Sequence, residues 1–275
     1  MFRLRQKIMT ETNGDFDYIC DFHQVLRSQI LNLFFINKKK FNIYKERSGK
    51  KKFLRSPSNV YLKHTTQRYL DVLRPLGLVL PQKISELLNY GYSVNFSNSK
   101  TEQLLEINKG KKIIGIAPFA RHFTKTWPLE HLQELLRKLK EVDVTVLLFG
   151  GPEDEKLLAP LEKINNRVVN LAGVYTLEEE LALMKKLNLM IAMDSANMHF
   201  ATLCGTPVLS LWGGTHPGFG FYPIDPKAEI LEIPTSELTC RPCSLFGQST
   251  CPKGHFDCMY KITPNSVFER IKNYI

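Results

Sequence analysis

From Lys111 to the C-terminus the chain alternates short apolar runs with helix-patterned stretches, and this alternation narrows the possible folds more than any other feature. The runs are "KKIIGIAPFA", "VTVLLFG", "RVVNLAG", "LNLMIAM", "PVLSLWG" and "AEILEIP". Each is apolar on both faces, as a strand buried on both sides must be. Between them, Leu132, Leu135, Leu136 and Leu139 follow helical spacing, and Thr176 with Glu179 has the spacing of a capping box. Strand-helix alternation of this kind predicts an α/β fold, with a parallel sheet covered by helices on both faces.

The first hundred residues are less regular. "FDYICDF" reads as a strand, "QVLRSQILNLFF" as a helix, and "TTQRYLDVLRPLG" as a helix ended by Pro75 and Gly77. These are too few units for a full doubly wound domain. The polar stretch "NFSNSKTEQ" marks a boundary, giving an incomplete Rossmann-like domain over 1–104 and a complete one over 105–275.

A chain of 275 residues, 43% of them hydrophobic, has enough apolar material for two modest cores, which argues against disorder. No apolar run is long enough to span a membrane, and the N-terminus lacks the apolar stretch and cleavage site of a signal peptide. A cytoplasmic location is therefore expected. The net charge of +10 is concentrated in "NKKKFNIYKERSGKKKFLR". That segment reads either as a solvated face or as an anion-binding surface.

In an open parallel sheet, ligands bind beyond the carboxyl ends of the strands, where helix N-termini present free N–H groups. Four loops lie there: "APFARHFTKTWP", "GGPEDE", "AGVYT" and "DSANMH". Gly150, Gly151 and Gly173 permit close backbone approach, Lys125 supplies a cation, and Ser195 to Asn197 open a helix toward a phosphate. Asp154 suits a ribose. Asp194 and His199 reach the same cleft, unless Asp194 caps the helix and His199 is a core residue.

Cys240, Cys243, Cys251 and Cys258 form a C-x2-C-x7-C-x6-C pattern, with His255 a replacement ligand. The pattern is read as a structural zinc site or as reduced thiols, with disulfides disfavoured in a reducing compartment. Cys20 and Cys204 read as core thiols.

The blocks "IGIAPFARHFTKTWP", "VLLFGGPEDE", "NLAGVYTLEEE", "MDSANMHFATLCGTPVLSLWGGTHP" and "CMYKITPNSV" resemble, in order and spacing, the bacterial heptosyltransferases of glycosyltransferase family nine. The likeness spans roughly residues 110 to 270. "FDYICDFHQVLRSQ" is more loosely similar to that family's "DLHGNLRS" segment. The resemblance implies a GT-B architecture, with two Rossmann-like domains, and inverting transfer of a heptose from an ADP-sugar to a lipopolysaccharide core or lipid A-linked acceptor. It places Lys125 at the diphosphate and Asp194 at the sugar. Ser195, Ala196 and His199 then line the phosphate site, with Asp154 and Tyr175 near the nucleoside. No metal or other cofactor is required for transfer.

Asp21, His23 and Arg27 read either as a strand end and helix face or as acceptor-side residues. The basic segment suits peripheral contact with the anionic inner face of the inner membrane. The family's early Gly-Asp turn, which supplies the general base, has no counterpart, and Asp15 is a poor substitute because it precedes a later strand. The catalytic acid is therefore unassigned. Three alternatives stand beside an active transferase. One is a silent donor-binding remnant, another a sugar-nucleotide epimerase, and the third a basic nucleic-acid-binding protein. The last is disfavoured because no recognised stacking motif is present. A nicotinamide enzyme is disfavoured because no G-x-G-x-x-G follows a strand.

Overall fold

The computed structural model describes residues 1–58, 60–90 and 99–275. Its N-terminal part runs α1 (Phe2–Glu11), β1 (Tyr18–Asp21), α2 (Leu26–Leu33), β2 (Lys39–Asn42), α3 (Arg47–Arg55), α4 (Thr65–Leu73) and α5 (Ser99–Ile107). β1 and β2 pair in parallel. α1 and β2 are not evident in the sequence pattern: α1 buries no residue, and β2 is half Lys, so neither carries an apolar signature. Residues 95–98 of the polar boundary stretch lie outside the described residues. α5 runs through positions 104 and 105, where Leu104 and Leu105 pack on the core of the second sheet.

The second part follows the alternation read from the sequence. It runs β3 (Lys112–Ala117), α6 (Leu129–Leu139), β4 (Val144–Leu148), α7 (Glu155–Leu158), β5 (Val168–Asn170), α8 (Leu177–Met184), β6 (Leu189–Met193), α9 (Ala196–Leu203), β7 (Val208–Trp212), β8 (Glu229–Glu232), α10 (Asp257–Tyr260) and α11 (Pro264–Ile271). The strands form a parallel sheet of order β5-β4-β3-β6-β7-β8. β3 and β6 are neighbours although two strands separate them in the chain, so the winding reverses between them. The loops leaving these two strands diverge and open a crevice.

Side chains alternate across the sheet and feed two cores. Ile114, Ile116, Val146 and Ile191 face Leu132, Leu135, Leu136 and Leu139 of α6 and Val267 and Ile271 of α11. Ile113, Leu147, Met190 and Trp212 face the helices α8 and α9 on the other side. Burial on both faces explains why the central strands β3, β4, β6 and β7 read as uninterrupted apolar runs. Thr176 accepts a hydrogen bond from the Glu179 N–H, and the Glu179 carboxylate accepts one from the Thr176 N–H, completing the expected capping box.

The N-terminal part docks on the loop after β7. The Leu62 N–H donates to the Gly218 carbonyl and the Thr65 N–H to that of Gly220, each at 2.8 Å. Phe53, buried on α3, stacks near Phe219 (5.0 Å) and His216 (5.2 Å). His64 caps α4 by accepting from the Thr66 N–H through Nδ1, which leaves Nε2–H to donate to the Tyr222 carbonyl at 2.8 Å. Burial lowers the His64 pKa to about 4; the Tyr222 carbonyl opposes this, while His199 and Arg68 add to it.

His64 is therefore neutral in the fold at a pH where the unfolded chain binds a proton. Its folded pKa lies below the unfolded value of 6.5, so stability falls as pH drops through the window from 6.5 to about 4. Between about pH 7.5 and about pH 5, wild-type protein should lose roughly 2 kcal/mol more stability than His64→Gln, from 1.36 kcal/mol per pKa unit. Urea denaturation at the two pH values measures this, and equal losses in the two proteins would remove His64 from the junction's energetics.

Candidate functional site

The crevice at the winding reversal holds a cavity of about 700 Å³. Its walls come from three loops: Phe119, Ala120, Arg121 and Lys125 after β3; Glu153 and Asp154 after β4; and Asp194, Ser195, Ala196 and Asn197 after β6. The volume suits a nucleotide-sized ligand. Parallel register brings the ends of β3 and β6 side by side, Ala117 pairing with Ala192, so the two loops enter the cavity at the same height.

Asp194 is held from two sides. The Lys125 ammonium lies 3.1 Å from its Oδ2, and the Thr215 hydroxyl donates to the same oxygen at 2.8 Å. Lys125 and Asp194 have side chains 14% and 13% exposed, so their attraction is only partly screened and still reachable by a ligand. Ser195 takes the N-cap position of α9, and no side chain caps that helix. Asp194 is thus not a helix cap, and its carboxylate serves the crevice. The Ser195 hydroxyl is buried without a hydrogen-bond partner. The hydroxyl stands beside the uncapped N–H groups at the start of α9, an arrangement able to accept an anion.

Asp154 accepts from the Gly151 N–H at 2.9 Å, and a Cβ at Gly150 would lie 2.9 Å from the Asp154 carboxylate. A side chain at Gly150 would therefore crowd Asp154. Burial raises the Asp154 pKa; the Gly151 N–H opposes this and Glu153 reinforces it. His199 lies one turn into α9, behind the cavity wall rather than in it. Burial lowers its pKa, with Asp194 pulling it up and Lys125 pushing it down, so the ring is neutral at neutral pH. Tyr175 lies outside the cavity lining, its ring covered by the Lys100 ammonium at 4.1 Å.

Two contributors carried no role in the sequence reading. Arg121 is a second cation on the cavity wall. Thr215 belongs to the quoted "WGGTHP" block, but its bond to Asp194 depends on β6 and β7 being neighbours, which local pattern does not reveal. A third residue supports them from behind: the buried Arg241 donates to the carbonyls of Gly213 (2.6 Å), Thr215 (3.1 Å) and Ile233, and pairs with Glu232 at 2.8 Å.

On the N-terminal side, the Asp21 carboxylate accepts from the N–H groups of His23 and Gln24 and from Ser28 and Asn32. Burial opposes its charge, and the bonds from Gln24, Ser28 and His23 outweigh that and lower its pKa. Asp21 is thereby the anchor of the turn into α2, while His23 and Arg27 are exposed.

The four clustered cysteines are free thiols close enough to influence one another. Burial pushes the Cys258 thiol up to about 12; Arg241 opposes this, and Cys243, Cys251 and Cys240 add to it. Cys240 Sγ lies 3.8 Å from His255 Nε2. Among the described residues, no three His, Cys, Asp or Glu side chains converge tightly enough to hold a metal ion, and no helix is long and apolar enough to cross a membrane.

Comparison with known proteins bears directly on this arrangement. The chain is 26% identical over 212 residues to lipooligosaccharide heptosyltransferase 2 of Haemophilus influenzae, covering 75% of this chain and 57% of that protein. It is 27% identical over 179 residues to lipopolysaccharide heptosyltransferase 2 of Escherichia coli, covering 63% and 49%. The chain thus spans about half the length of the curated relatives it matches. Among solved structures, the E. coli ADP-heptose LPS heptosyltransferase II superposes with a TM-score of 0.65 at 20% identity, over 98% of this chain and 80% of that one. The family 9 glycosyltransferase of Veillonella parvula gives 0.68 at 17%, over 99% and 76%. These likenesses bear out the α/β fold class of GT-B type. The family model described as glycosyltransferase family 9 (heptosyltransferase) matches residues 1–246, extending the resemblance through the N-terminal part, and the chain belongs to that family.

Proposed function

We propose that the protein is an inverting glycosyltransferase that moves a heptose from an ADP-sugar to a lipopolysaccharide core or lipid A-linked acceptor. Residues 105–275 form the donor side and 1–104 the acceptor side. One observation carries the reading: the Lys125–Asp194–Thr215 cluster stands beside the orphan Ser195 hydroxyl at the opening of α9. Negative charge grows on the departing diphosphate during transfer. Lys125, Arg121 and the first N–H groups of α9 are the groups placed to receive it, without a metal ion. Asp194, already fixed from two sides, is free to accept hydrogen bonds from sugar hydroxyls. Asp154 takes the ribose, and Tyr175 and His199 support the pocket from outside its lining. His23 and Arg27 serve the acceptor side, where the basic segment 38–55 meets the anionic inner face of the inner membrane.

A structural zinc ion in the cysteine loop is the second part of the proposal, supported by the C-x2-C pair at the head of the thiol spacing and by the approach of Cys240 Sγ to His255 Nε2 at 3.8 Å. Cys240, Cys243, Cys251 and Cys258 would hold it, after closing in from their present positions. Metal analysis of purified protein is expected to give about one zinc per chain, lost in a Cys251→Ser/Cys258→Ser variant. Metal-free protein with all its thiols open to a thiol reagent would overturn it.

Calorimetric titration tests the donor site. Lys125→Ala should weaken ADP by roughly 10- to 100-fold while leaving adenosine nearly unchanged, since a charge-assisted hydrogen bond is worth about 1.5–3 kcal/mol. Ser195→Ala should not lower the melting temperature, because the hydroxyl has no partner to lose, yet should weaken ADP several-fold. Equal losses for ADP and adenosine would remove Lys125 from the diphosphate. ADP-heptose binding without turnover on a lipid-linked acceptor would leave the binding-only reading in its place.

A further inference from the structure

The segment from Lys38 to Arg55 carries nine lysines and arginines against one acid, Glu46. The one acid is engaged from outside the segment: Arg68 of α4 approaches Glu46 at 3.4 Å. Lys45, Arg47, Lys50 and Lys51 make no ion pair among the described residues, and they line one groove of about 350 Å³ with Leu54, Leu245 and Phe246. The groove is built from two directions. Phe53 pins α3 against the loop after β7, while Leu245 and Phe246 come from the cysteine loop.

The lining is amphiphilic. Leu54 and Phe246 are 36% and 61% exposed and stand beside four cations that make no ion pair among the described residues. The Lys50 ammonium sits 5.2 Å from the centre of the Phe221 ring, which in turn lies 6.3 Å from that of Phe246. Burial, and then repulsion from Arg68, lowers the Lys50 pKa to about 8, with Glu46 opposing. Such a half-desolvated ammonium gains an anion's attraction at less dehydration cost than a surface lysine.

We propose that this groove docks the anionic headgroup of a membrane lipid, with the phosphate among Lys45, Arg47, Lys50 and Lys51 and the first acyl carbons on Leu54, Leu245 and Phe246. The occupant follows from charge complementarity joined to an aliphatic wall. A free phosphate has no use for Leu54 and Leu245, and a nucleic acid needs a longer phosphate track with stacking platforms. The inference deepens the membrane-facing part of the proposed function and rests on it, but not on the assignment of the donor.

The test is co-sedimentation of the full chain with phosphatidylcholine vesicles, with and without phosphatidylglycerol, alongside ADP titration of every variant. Wild type should bind only the anionic vesicles. Arg47→Glu/Lys51→Glu should reduce that binding roughly 30-fold or more, at about 1 kcal/mol for each basic residue lost. Phe246→Ser should reduce it several-fold. Lys109→Glu/Lys111→Glu, an equal charge change before the start of β3, should leave it intact. ADP affinity should be unchanged throughout, which separates failure here from failure of the donor site. Equal loss in the Lys109/Lys111 control would overturn the groove in favour of bulk charge. Full competition by inorganic phosphate would make it a free-anion site, and retention of RNA in place of vesicles would make it a nucleic-acid surface.

Discussion

The crevice at the winding reversal depends on one shared oxygen. Oδ2 of Asp194 accepts from Thr215 and faces the Lys125 ammonium, tying the loops after β3, β6 and β7 to one point. Three loops at the mouth of a parallel sheet have no backbone ladder to hold them together, so a side-chain charge has to do it. A carboxylate so placed must itself be kept from moving. Thr215 is fixed by Arg241, whose buried guanidinium spends its donors on backbone carbonyls either side of β8 and on Glu232. Losing one partner of such a buried pair typically costs about 3–5 kcal/mol, because the other charge is left unmatched.

The same loop is gripped from the opposite side. Residues 218 to 222 accept hydrogen bonds from Leu62, Thr65, His64 and Arg68, and Phe53 packs on Phe219 and His216. The histidines here are kept uncharged by burial, so neutral rings and backbone donors make up the junction together with the buried guanidinium of Arg68. The buried neutral histidines make such a junction sensitive to acid. The crevice and the N-terminal part consequently share one segment, residues 213–222.

The second half of the fold was legible because the central strands β3, β4, β6 and β7 are buried on both faces and α6 shows its apolar stripe. Its site was legible for the same reason: strand ends locate loops, and Lys125, Asp154, Asp194, Ser195 and Ala196 lie on the loops that line the cavity. The N-terminal part was less so, since α1 and β2 lack an apolar period and their order comes from tertiary contact. Tyr175 and His199 show the limit within the site. Their loop positions are as expected, but whether a side chain lines a cavity or backs it depends on rotation about a helix axis and on Lys100 arriving from α5. Asp21 was readable as a strand-end carboxylate, yet only the fold reveals that four donors occupy it.

The cysteine loop links the site to the surface. Arg241 and Phe246 are five residues apart on one segment; the first points inward to hold Thr215, and the second lies exposed on the wall of the basic groove. Between them Cys243 donates its N–H to the Gly214 carbonyl, and beyond them Gln248 exchanges hydrogen bonds with Thr124, the neighbour of Lys125. Whatever orders this loop thus acts on Asp194 through Thr215 and on Lys125 through Thr124. A segment of little regular secondary structure can hold both loops because Cys243 and Ser244 donate their N–H groups to the Gly214 carbonyl just beyond β7, Gln248 accepts from the Thr124 N–H in the turn after β3, and the Arg241 side chain reaches the end of β8.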